Sequence, residues 1–266
     1  DARMDFTFPE EITALRAAFA DFLKREIQPI EDEIAPQWDT PYPDKEIVVD
    51  AMARVRALSV EAGFFAAHMP EKVGGQGLST LGMTALVEDA ARSGSRLAMT
   101  AISPPNPAGP SSLLLKLPEH LLEQWVRPVV TGTKTACFAL TEPDSGSDAA
   151  SLRTTAIRDS SGDYYVLNGT KRYITNAPEA GVFTVMARTD PTKKGADGIS
   201  AFIVERGTPG LSLGQPDEKM GHKGSHTCDV IFEDCRVPAA NLIGGKEGIG
   251  FKTAMKVLDK GRINIA

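Results

Sequence analysis

Apolar residues in the first half of the chain recur at intervals of three and four, the spacing of one face of an α-helix. The first series runs from Ile12 to Ile27, and we expect the helix to end there, before Pro29. Three more helical faces are predicted by later series, at Ile47, Ala51, Met52, Val55 and Leu58, at Leu81, Ala85 and Ala91, and at Leu121, Leu122, Trp125 and Val129.

The pattern changes near residue 134, where short runs rich in β-branched and aromatic residues begin. These runs are TACFALT, DYYVLNG, VFTVMART, GISAFIVE and CDVIFED, and Gly, Asp and Pro lie between them. Apolar residues alternate in several runs, for example at Phe183, Val185 and Ala187, so we expect one buried face. The runs predict a compact antiparallel sheet. Strands and helices do not alternate, which argues against a doubly wound nucleotide-binding fold.

A helical period returns at about residue 247, with apolar residues at Phe251, Ala254, Met255 and Leu258. This series is still running at Ala266, so we expect further helical sequence beyond it. The order of elements is therefore helices, then strands, then the beginning of another helix. This order predicts an α+β protein with an N-terminal all-helical domain followed by a small antiparallel sheet domain.

The composition is that of a globular protein, because 42% of the 266 residues are hydrophobic and 24% are charged. The net charge of -6 argues against a nucleic-acid partner. Cys137, Cys228 and Cys235 form no CxxC pair, and no apolar run reaches the length of a membrane span or a signal peptide. We expect an intracellular protein, in the cytoplasm of a bacterium or the mitochondrial matrix of a eukaryote.

Several common catalytic motifs are absent from the sequence. The Gly-rich loops at 74–80 and 244–252 fit neither the P-loop nor the dinucleotide spacing, and we interpret them as tight turns. His222 and His226 lie in a Gly-containing turn rather than on a helix, so no metal site is expected. Ser145 lies in no GxSxG motif, which argues against a serine nucleophile.

A polar segment follows the first apolar run of the sheet, in the sequence CFALTEPDSGSDAAS (137–151). Pro143 has no N–H to donate, so the strand is expected to end near Thr141. Residues 144–147 can turn the chain and present N–H and hydroxyl donors to a pyrophosphate or to the polar edge of a ring. An ordinary Asx- or Ser-rich turn explains the composition equally well.

A second polar segment, KRYITNAPE (171–179), ends another predicted strand. It contains Tyr173, Thr175 and Asn176, and an aromatic ring beside a hydroxyl donor suits a flat heterocycle. An aromatic residue on a sheet surface is the alternative interpretation. Two such strand ends in one small sheet favour a shared ligand.

At this point five segments resemble motifs of the acyl-CoA dehydrogenase family. They are MPEKVGGQGLS, ALTEPDSGSDAAS, LNGTKRYITN, MGHKGSHTCDVIFEDCRVP and NLIGGKEGIGFKTAMKVLDKGRINIA, in the order expected for the family. The resemblance implies a helical domain at 1–133, a middle β-barrel domain at 134–245 and, at 246–266, the first helix of a C-terminal helical bundle whose remainder is not in this chain.

The resemblance also implies FAD as the cofactor and α,β-dehydrogenation of an acyl-CoA thioester as the reaction. An electron-transfer flavoprotein or a similar acceptor is the implied partner, and a homotetramer or homodimer is the implied assembly. Cofactor-binding positions carried over from the motifs are Phe138, Ala139, Leu140, Thr141, Gly146, Ser147, Tyr173, Ile174 and Thr175. Substrate-binding positions carried over are Thr100, Ser103, Ser147, Leu258, Asp259 and Arg262.

Five of these positions carry specific roles in the resemblance. Thr141 would donate a hydrogen bond to the flavin edge, Ser147 would meet the pyrophosphate near the pantetheine of the substrate, and Tyr173 would flank the isoalloxazine. Many family members have Trp at the position of Tyr173, so the docking of the electron acceptor is expected to differ in detail. Thr100 and Ser103 would line the acyl pocket.

The catalytic glutamate of the family lies at one of two places. In most members it lies in the C-terminal helical domain, and in a minority it lies at the position of Gly261, which carries no carboxylate. We therefore expect this chain to lack its general base, and we interpret Glu142 as structural. The alternatives to a dehydrogenase are a base-less module for flavin binding, CoA binding or assembly, and a related flavin oxidase.

Overall fold

The computed structural model describes residues 7–40, 43–102, 114–221, 225–255 and 258. The chain forms two compact units, Asp1–Ser103 and Pro104–Ala266. The predicted fold class is confirmed, because a helical N-terminal part precedes a curled β-sheet and residues 250–255 are again helical. In the part of the chain that the structure describes, no helix is both long enough and apolar enough to cross a bilayer.

The first unit packs the apolar faces of its helices together. Its helices are α1 (Glu10–Phe22), α2 (Gln28–Glu33), α3 (Ala35–Trp38), α4 (Lys45–Glu61), α5 (Thr80–Arg92) and α6 (Ala98–Ile102). The rings of Phe19 and Phe64 meet at 5.0 Å in this core. Ser79 caps α5, because its hydroxyl accepts a hydrogen bond from the Gly82 N–H at 3.1 Å.

The first helical series continues past Pro29, so the predicted helix end was wrong. Leu23–Ile27 form a π turn, after which the N–H of Gln28 donates to the carbonyl five residues earlier. Pro29 therefore lies in the first turn of a new α-helical segment, where a missing N–H costs no hydrogen bond. A second π turn, Leu122–Val126, precedes Pro128 in the same way.

The second unit begins with short helices and continues into one sheet. The helices are α7 (Glu119–Leu121) and α8 (Arg127–Val130). The strands are β1 (Ala136–Ala139), β2 (Thr155–Arg158), β3 (Tyr164–Thr175), β4 (Val182–Arg188), β5 (Ile199–Glu205), β6 (Leu211–Leu213) and β7 (Thr227–Pro238). Their order in the sheet is β1-β4-β2-β3-β7-β6, and β5 pairs with β4.

Most neighbouring strands are antiparallel, as predicted, but β1 and β2 run parallel to β4. The alternation within a strand cannot reveal this, because it reports which side chains are buried and not which distant strand is the neighbour. The pairing of β1 with β4 also leaves the end of β1 beside the end of β3. The Arg172 N–H donates to the Thr141 carbonyl at 2.8 Å there.

Strands β4 and β5 are buried on both faces, contrary to the expectation of one buried face. Every residue from 182 to 187 is buried, as is every residue from 199 to 204. The segment after β7 lies along β5, where the Ile243 N–H donates to the Ala201 carbonyl at 2.8 Å. Strand β7 instead alternates at Val230 and Phe232, which matches the one-sided prediction.

Gly169 occupies an irregular position in β3. The β3–β7 register shifts between Leu167 and Gly169, and Gly169 has a φ of +144°. A Cβ atom at this position would lie 2.6 Å from the Thr154 hydroxyl oxygen and 2.8 Å from the Thr154 Cα. Only glycine therefore lets β3 pass this close to the segment that leads into β2.

Replacing Gly169 by alanine is expected to lower the free energy of unfolding by about 1–3 kcal/mol, because the added methyl group overpacks this contact. Gly221→Ala is the matched control, since a Cβ atom there meets no atom of the described residues within 4 Å. Its effect should stay below about 0.5 kcal/mol. Denaturant unfolding measures both variants, and equal stability of Gly169→Ala and the parent would contradict the close approach.

Candidate functional site

The loop after β1 is closed by a tight turn. Glu142 and Ser145 exchange backbone hydrogen bonds of 2.9 and 3.2 Å, and Pro143 occupies the second turn position, which favours its fixed φ. The Ser145 hydroxyl donates to the Asp148 carbonyl at 2.6 Å. Gly146 and Ser147 follow the turn and are exposed. The loop therefore presents a small, polar surface, and hydrogen bonds within the turn hold its backbone.

The Glu142 side chain points away from this surface into the protein. Its carboxylate accepts hydrogen bonds from the backbone N–H groups of Arg153 at 2.6 Å and Thr154 at 2.9 Å. It also accepts one from the Lys171 ammonium at 2.7 Å. Burial raises the pKa of Glu142, but the charge of Lys171 and these hydrogen bonds more than offset it, so the pKa lies below its usual value.

Lys171 is fully buried and joins β3 to the loop after β1. Its ammonium donates to the Leu140 carbonyl at 3.2 Å as well as to Glu142. Burial lowers the pKa of Lys171, and the neighbouring carboxylate offsets part of that effect. These contacts support the interpretation of Glu142 as structural, which stays a prediction.

The end of β3 bulges at Arg172 and Tyr173. The register with β7 shifts between Lys171 and Ile174, and Tyr173 adopts a φ of +57°. A left-handed backbone is unfavourable for a bulky residue with a Cβ atom, and such strain is concentrated at functional sites. The Tyr173 side chain is 62% exposed despite its size. The bulge thus presents an aromatic ring at the surface, beside the loop that contains Thr141.

Arg172 supports this ring. Its guanidinium carbon lies 4.8 Å from the centroid of the Tyr173 ring, and its Nη1 atom donates to the Asp229 carboxylate at 2.7 Å. A guanidinium over an aromatic face is attractive, so the ring is held by a charged contact that is itself anchored to β7. Ile174 is buried beneath the bulge, and Thr175 is half-buried.

The two polar strand ends predicted from the sequence therefore meet. Thr141 lies beside Arg172, and the cofactor positions of both strand ends belong to one edge of the sheet. Phe138 is half-buried, whereas Ala139 and Leu140 are buried. The roles assigned to these residues stay predictions.

The predicted substrate positions are distributed differently. Thr100 is buried in α6 of the first unit, and Leu258 is helical and half-buried. Ser103, Asp259 and Arg262 lie outside the described residues. Lys171, Arg172 and Asp229 belong to the site's framework and were not singled out. The adjacent charges KR before the aromatic residue of KRYITN were the available signal.

The donors at this edge suit a flat, anionic ligand. Glu142 is turned inward and neutralised by Lys171, and Asp144 pairs with Arg153 at 3.0 Å. Glu142 and Asp144 are therefore each paired with a cation, whereas Asp148 is exposed and accepts a hydrogen bond from the Ser151 hydroxyl. Gly146 leaves the surface open, because a Cβ atom there would contact only the Thr141 methyl group, at 3.8 Å. Hydroxyl groups, exposed backbone and one aromatic ring fit a dinucleotide.

Two family models match the chain. The acyl-CoA dehydrogenase N-terminal domain matches residues 9–133, and the acyl-CoA dehydrogenase middle domain matches residues 137–235. Together these ranges cover most of the sequence. The chain belongs to the acyl-CoA dehydrogenase family. The family predicted from the five motifs is thereby confirmed.

Curated relatives in this family include dehydrogenases and reductases. Acryloyl-CoA reductase (NADH) of Anaerotignum propionicum is 40% identical over 263 residues, which are 99% of this chain and 63% of that protein. Mitochondrial short-chain specific acyl-CoA dehydrogenase of Rattus norvegicus is 40% identical over 258 residues, 97% of this chain and 59% of that protein. A subunit of the caffeyl-CoA reductase–Etf complex of Acetobacterium woodii is 38% identical over 260 residues, 97% of this chain and 64% of that protein.

Solved acyl-CoA dehydrogenases share the fold. The enzyme from Bacillus anthracis, solved in complex with FAD, superposes with a TM-score of 0.79 at 33% identity and covers 99% of this chain and 43% of that chain. The present chain spans about three fifths of the length of the curated relatives named above. The residues matched by the middle-domain model, 137–235, include the sheet edge described above.

The strain at Tyr173 predicts an unusual response to mutation. Tyr173→Asn should leave the free energy of unfolding within about 0.5 kcal/mol of the parent or raise it, because asparagine tolerates the left-handed conformation and relieves about 1–2 kcal/mol of strain. That relief offsets the lost contact with Arg172, which is worth about 0.5–1 kcal/mol.

Tyr164→Asn is the matched control in the same strand. Tyr164 is also exposed and packs against a guanidinium, that of Arg236 at 4.5 Å, but its φ is not positive. This variant should lose about 0.5–1 kcal/mol, because asparagine is a poor strand former and the stacking is lost. Urea unfolding separates the two, and a larger loss for Tyr173→Asn than for Tyr164→Asn would argue against strain at the bulge.

Proposed function

We propose that the protein carrying this chain catalyses FAD-dependent α,β-dehydrogenation of an acyl-CoA thioester to the 2-enoyl-CoA. The observation that carries the proposal is the meeting of two polar strand ends, Thr141 and Tyr173, at one edge of the sheet. A strained, exposed aromatic residue beside a hydroxyl-bearing loop is an arrangement suited to a flat cofactor. Membership of the acyl-CoA dehydrogenase family supports the choice of FAD and of the reaction.

The residues of this edge are proposed to hold the cofactor from two sides. Thr141 donates its hydroxyl to the polar edge of the ring system, and Tyr173 and Thr175 flank its face. Gly146 and Ser147 receive the pyrophosphate, because the loop is open there and the carboxylate of Asp144 is paired with Arg153. When bound, FAD supplies the hydride acceptor for the β-carbon of the substrate.

The substrate roles are proposed from the family motifs. Ser147 lies near the pantetheine, Thr100 and Ser103 line the acyl pocket, and Leu258, Asp259 and Arg262 contact the CoA portion. We assign no general base within this chain, since Gly261 lacks a carboxylate and the carboxylate of Glu142 is fully engaged inside the protein. The proposed domains are 1–133, 134–245 and 246–266, and the family-model ranges 9–133 and 137–235 support the boundary between the first two.

The proposed electron partner is an electron-transfer flavoprotein. The relative from Acetobacterium woodii, which is a subunit of a reductase–Etf complex, supports this choice. Relatives named as reductases catalyse the reaction in the opposite sense, so the proposal includes reduction of an enoyl-CoA when the acceptor is replaced by an electron donor.

The reaction is tested with the purified flavoprotein under anaerobic conditions. We expect at least one member of a panel of straight, branched and aryl acyl-CoA thioesters to bleach the flavin absorbance, with turnover restored by an artificial electron acceptor. If none of them bleaches the flavin, the dehydrogenase proposal fails. Rapid turnover with oxygen as the only acceptor would identify a flavin oxidase instead.

Thr141→Val tests the cofactor role of one side chain. Loss of a hydrogen bond worth about 1 kcal/mol should weaken FAD binding by about 3–10-fold, measured by titrating the apoprotein and following flavin fluorescence. Thr155→Val is the control, because the Thr155 hydroxyl on β2 makes only a long contact, 3.5 Å, with the Asn168 carbonyl. Equal FAD affinity of Thr141→Val and the control would remove Thr141 from the proposed site.

A further inference from the structure

Three consecutive residues of the loop after β1 are each held by β3. The Leu140 carbonyl and the Glu142 carboxylate both accept from the Lys171 ammonium, at 3.2 and 2.7 Å. Between them, the Thr141 carbonyl accepts from the Arg172 N–H at 2.8 Å. The Thr141 backbone is therefore held directly at its carbonyl, and the residues on either side of it are held by Lys171. The orientation of the Thr141 hydroxyl is therefore set by the Thr141 backbone, whereas the Glu142 carboxylate is bonded to Lys171.

Glu142 extends this attachment to the other end of the loop. Its carboxylate accepts from the backbone of Arg153 and Thr154, which lead into β2. The single carboxylate thus joins the beginning of the loop, its end and β3. Two exposed groups of the same loop, Asp144 and Arg153, form a second ion pair that has no such connection to β3.

Packing alone does not require an ion pair at Lys171 and Glu142. The side chains of Lys171 and Glu142 are 0% and 4% exposed. Withdrawing two charges from water is unfavourable, and apolar residues of similar size frequently give equal or greater stability at such positions. What apolar residues cannot reproduce is the directional attachment of a carbonyl and two N–H groups to one point.

We propose that Lys171 and Glu142 are positioning residues that set the Thr141 hydroxyl and the loop 143–148 relative to the Tyr173 ring, and so determine how tightly and in what orientation the flavin is held. The proposal rests on the proposed FAD site. Neither residue touches the cofactor. Both act through the backbone of Leu140, Thr141 and the chain entering β2.

The test separates positioning from stability with four variants of the flavoprotein. Lys171→Met and Glu142→Gln each leave one buried group without its partner, and each should lower the melting temperature of the apoprotein by about 10 °C. The double variant Lys171→Met/Glu142→Leu removes both charges but leaves the Leu140 carbonyl and the N–H groups of Arg153 and Thr154 without these partners, so it should regain part of that loss. Glu142→Asp keeps the charge but withdraws the carboxylate by one methylene group, and it should lose only a few degrees.

FAD binding should follow a different order. The double variant should remain at least about tenfold weaker than the parent in FAD affinity although its stability recovers in part, and Glu142→Asp should be about 3–10-fold weaker. Both should alter the visible circular dichroism of the bound flavin, which reports ring orientation. Glu33→Gln is the control, because it removes an exposed ion pair with Arg54 in the helical unit, outside the proposed site, and it should stay within about twofold of the parent.

The outcomes are distinguishable. If the parent binds no FAD, the proposed function fails and the positioning role falls with it. If the parent binds FAD and the double variant recovers affinity, spectrum and stability together, the pair is structural only and the inference is overturned. If the double variant does not fold, Glu142→Asp decides, since parent-like affinity and an unchanged flavin spectrum in that variant would also overturn it.

Discussion

A lysine ammonium and a glutamate carboxylate, both removed from solvent, join the two strand ends on which the candidate site depends. Lys171 reaches from β3 to the loop after β1, and Glu142 carries the attachment on to Arg153 and Thr154. A buried charge must be fully hydrogen-bonded to be tolerated, so each of these partners is held by the requirement to satisfy the others. These contacts hold the inner side of the loop, while Gly146 and Ser147 are exposed on its outer side.

The same framework explains how an aromatic residue can occupy a strained position. Tyr173 lies in a bulge with a left-handed backbone, a conformation that persists only where surrounding contacts determine it. Lys171 anchors the strand before the bulge, Ile174 is buried after it, and Arg172 is tied to Asp229 on β7. Contacts of three neighbouring residues therefore hold Tyr173 in its strained conformation. The result is an exposed ring on the residue that follows Arg172, whose N–H donates to the Thr141 carbonyl.

Much of the architecture was accessible from local patterns. The helical spacing of apolar residues predicted the helices around Phe19, Val55 and Leu86, because each buries one face in a shared core. The helix did not end at Pro29, since a π turn shifted the hydrogen bonding before the proline. The parallel pairing of β1 with β4 was also missed, because the partner of a strand is chosen by contacts between distant segments.

The sequence by itself determined the order of helices and strands, the family, and the two polar strand ends, because periodicity, turn residues and motifs are local properties of the chain. It also indicated that Glu142 is structural. Only the tertiary structure decided that these strand ends meet, that Lys171 neutralises Glu142 inside the protein, and that Tyr173 is strained and exposed. Those features depend on pairing between β1, β3 and β7, and no local pattern records which buried charge will find which partner.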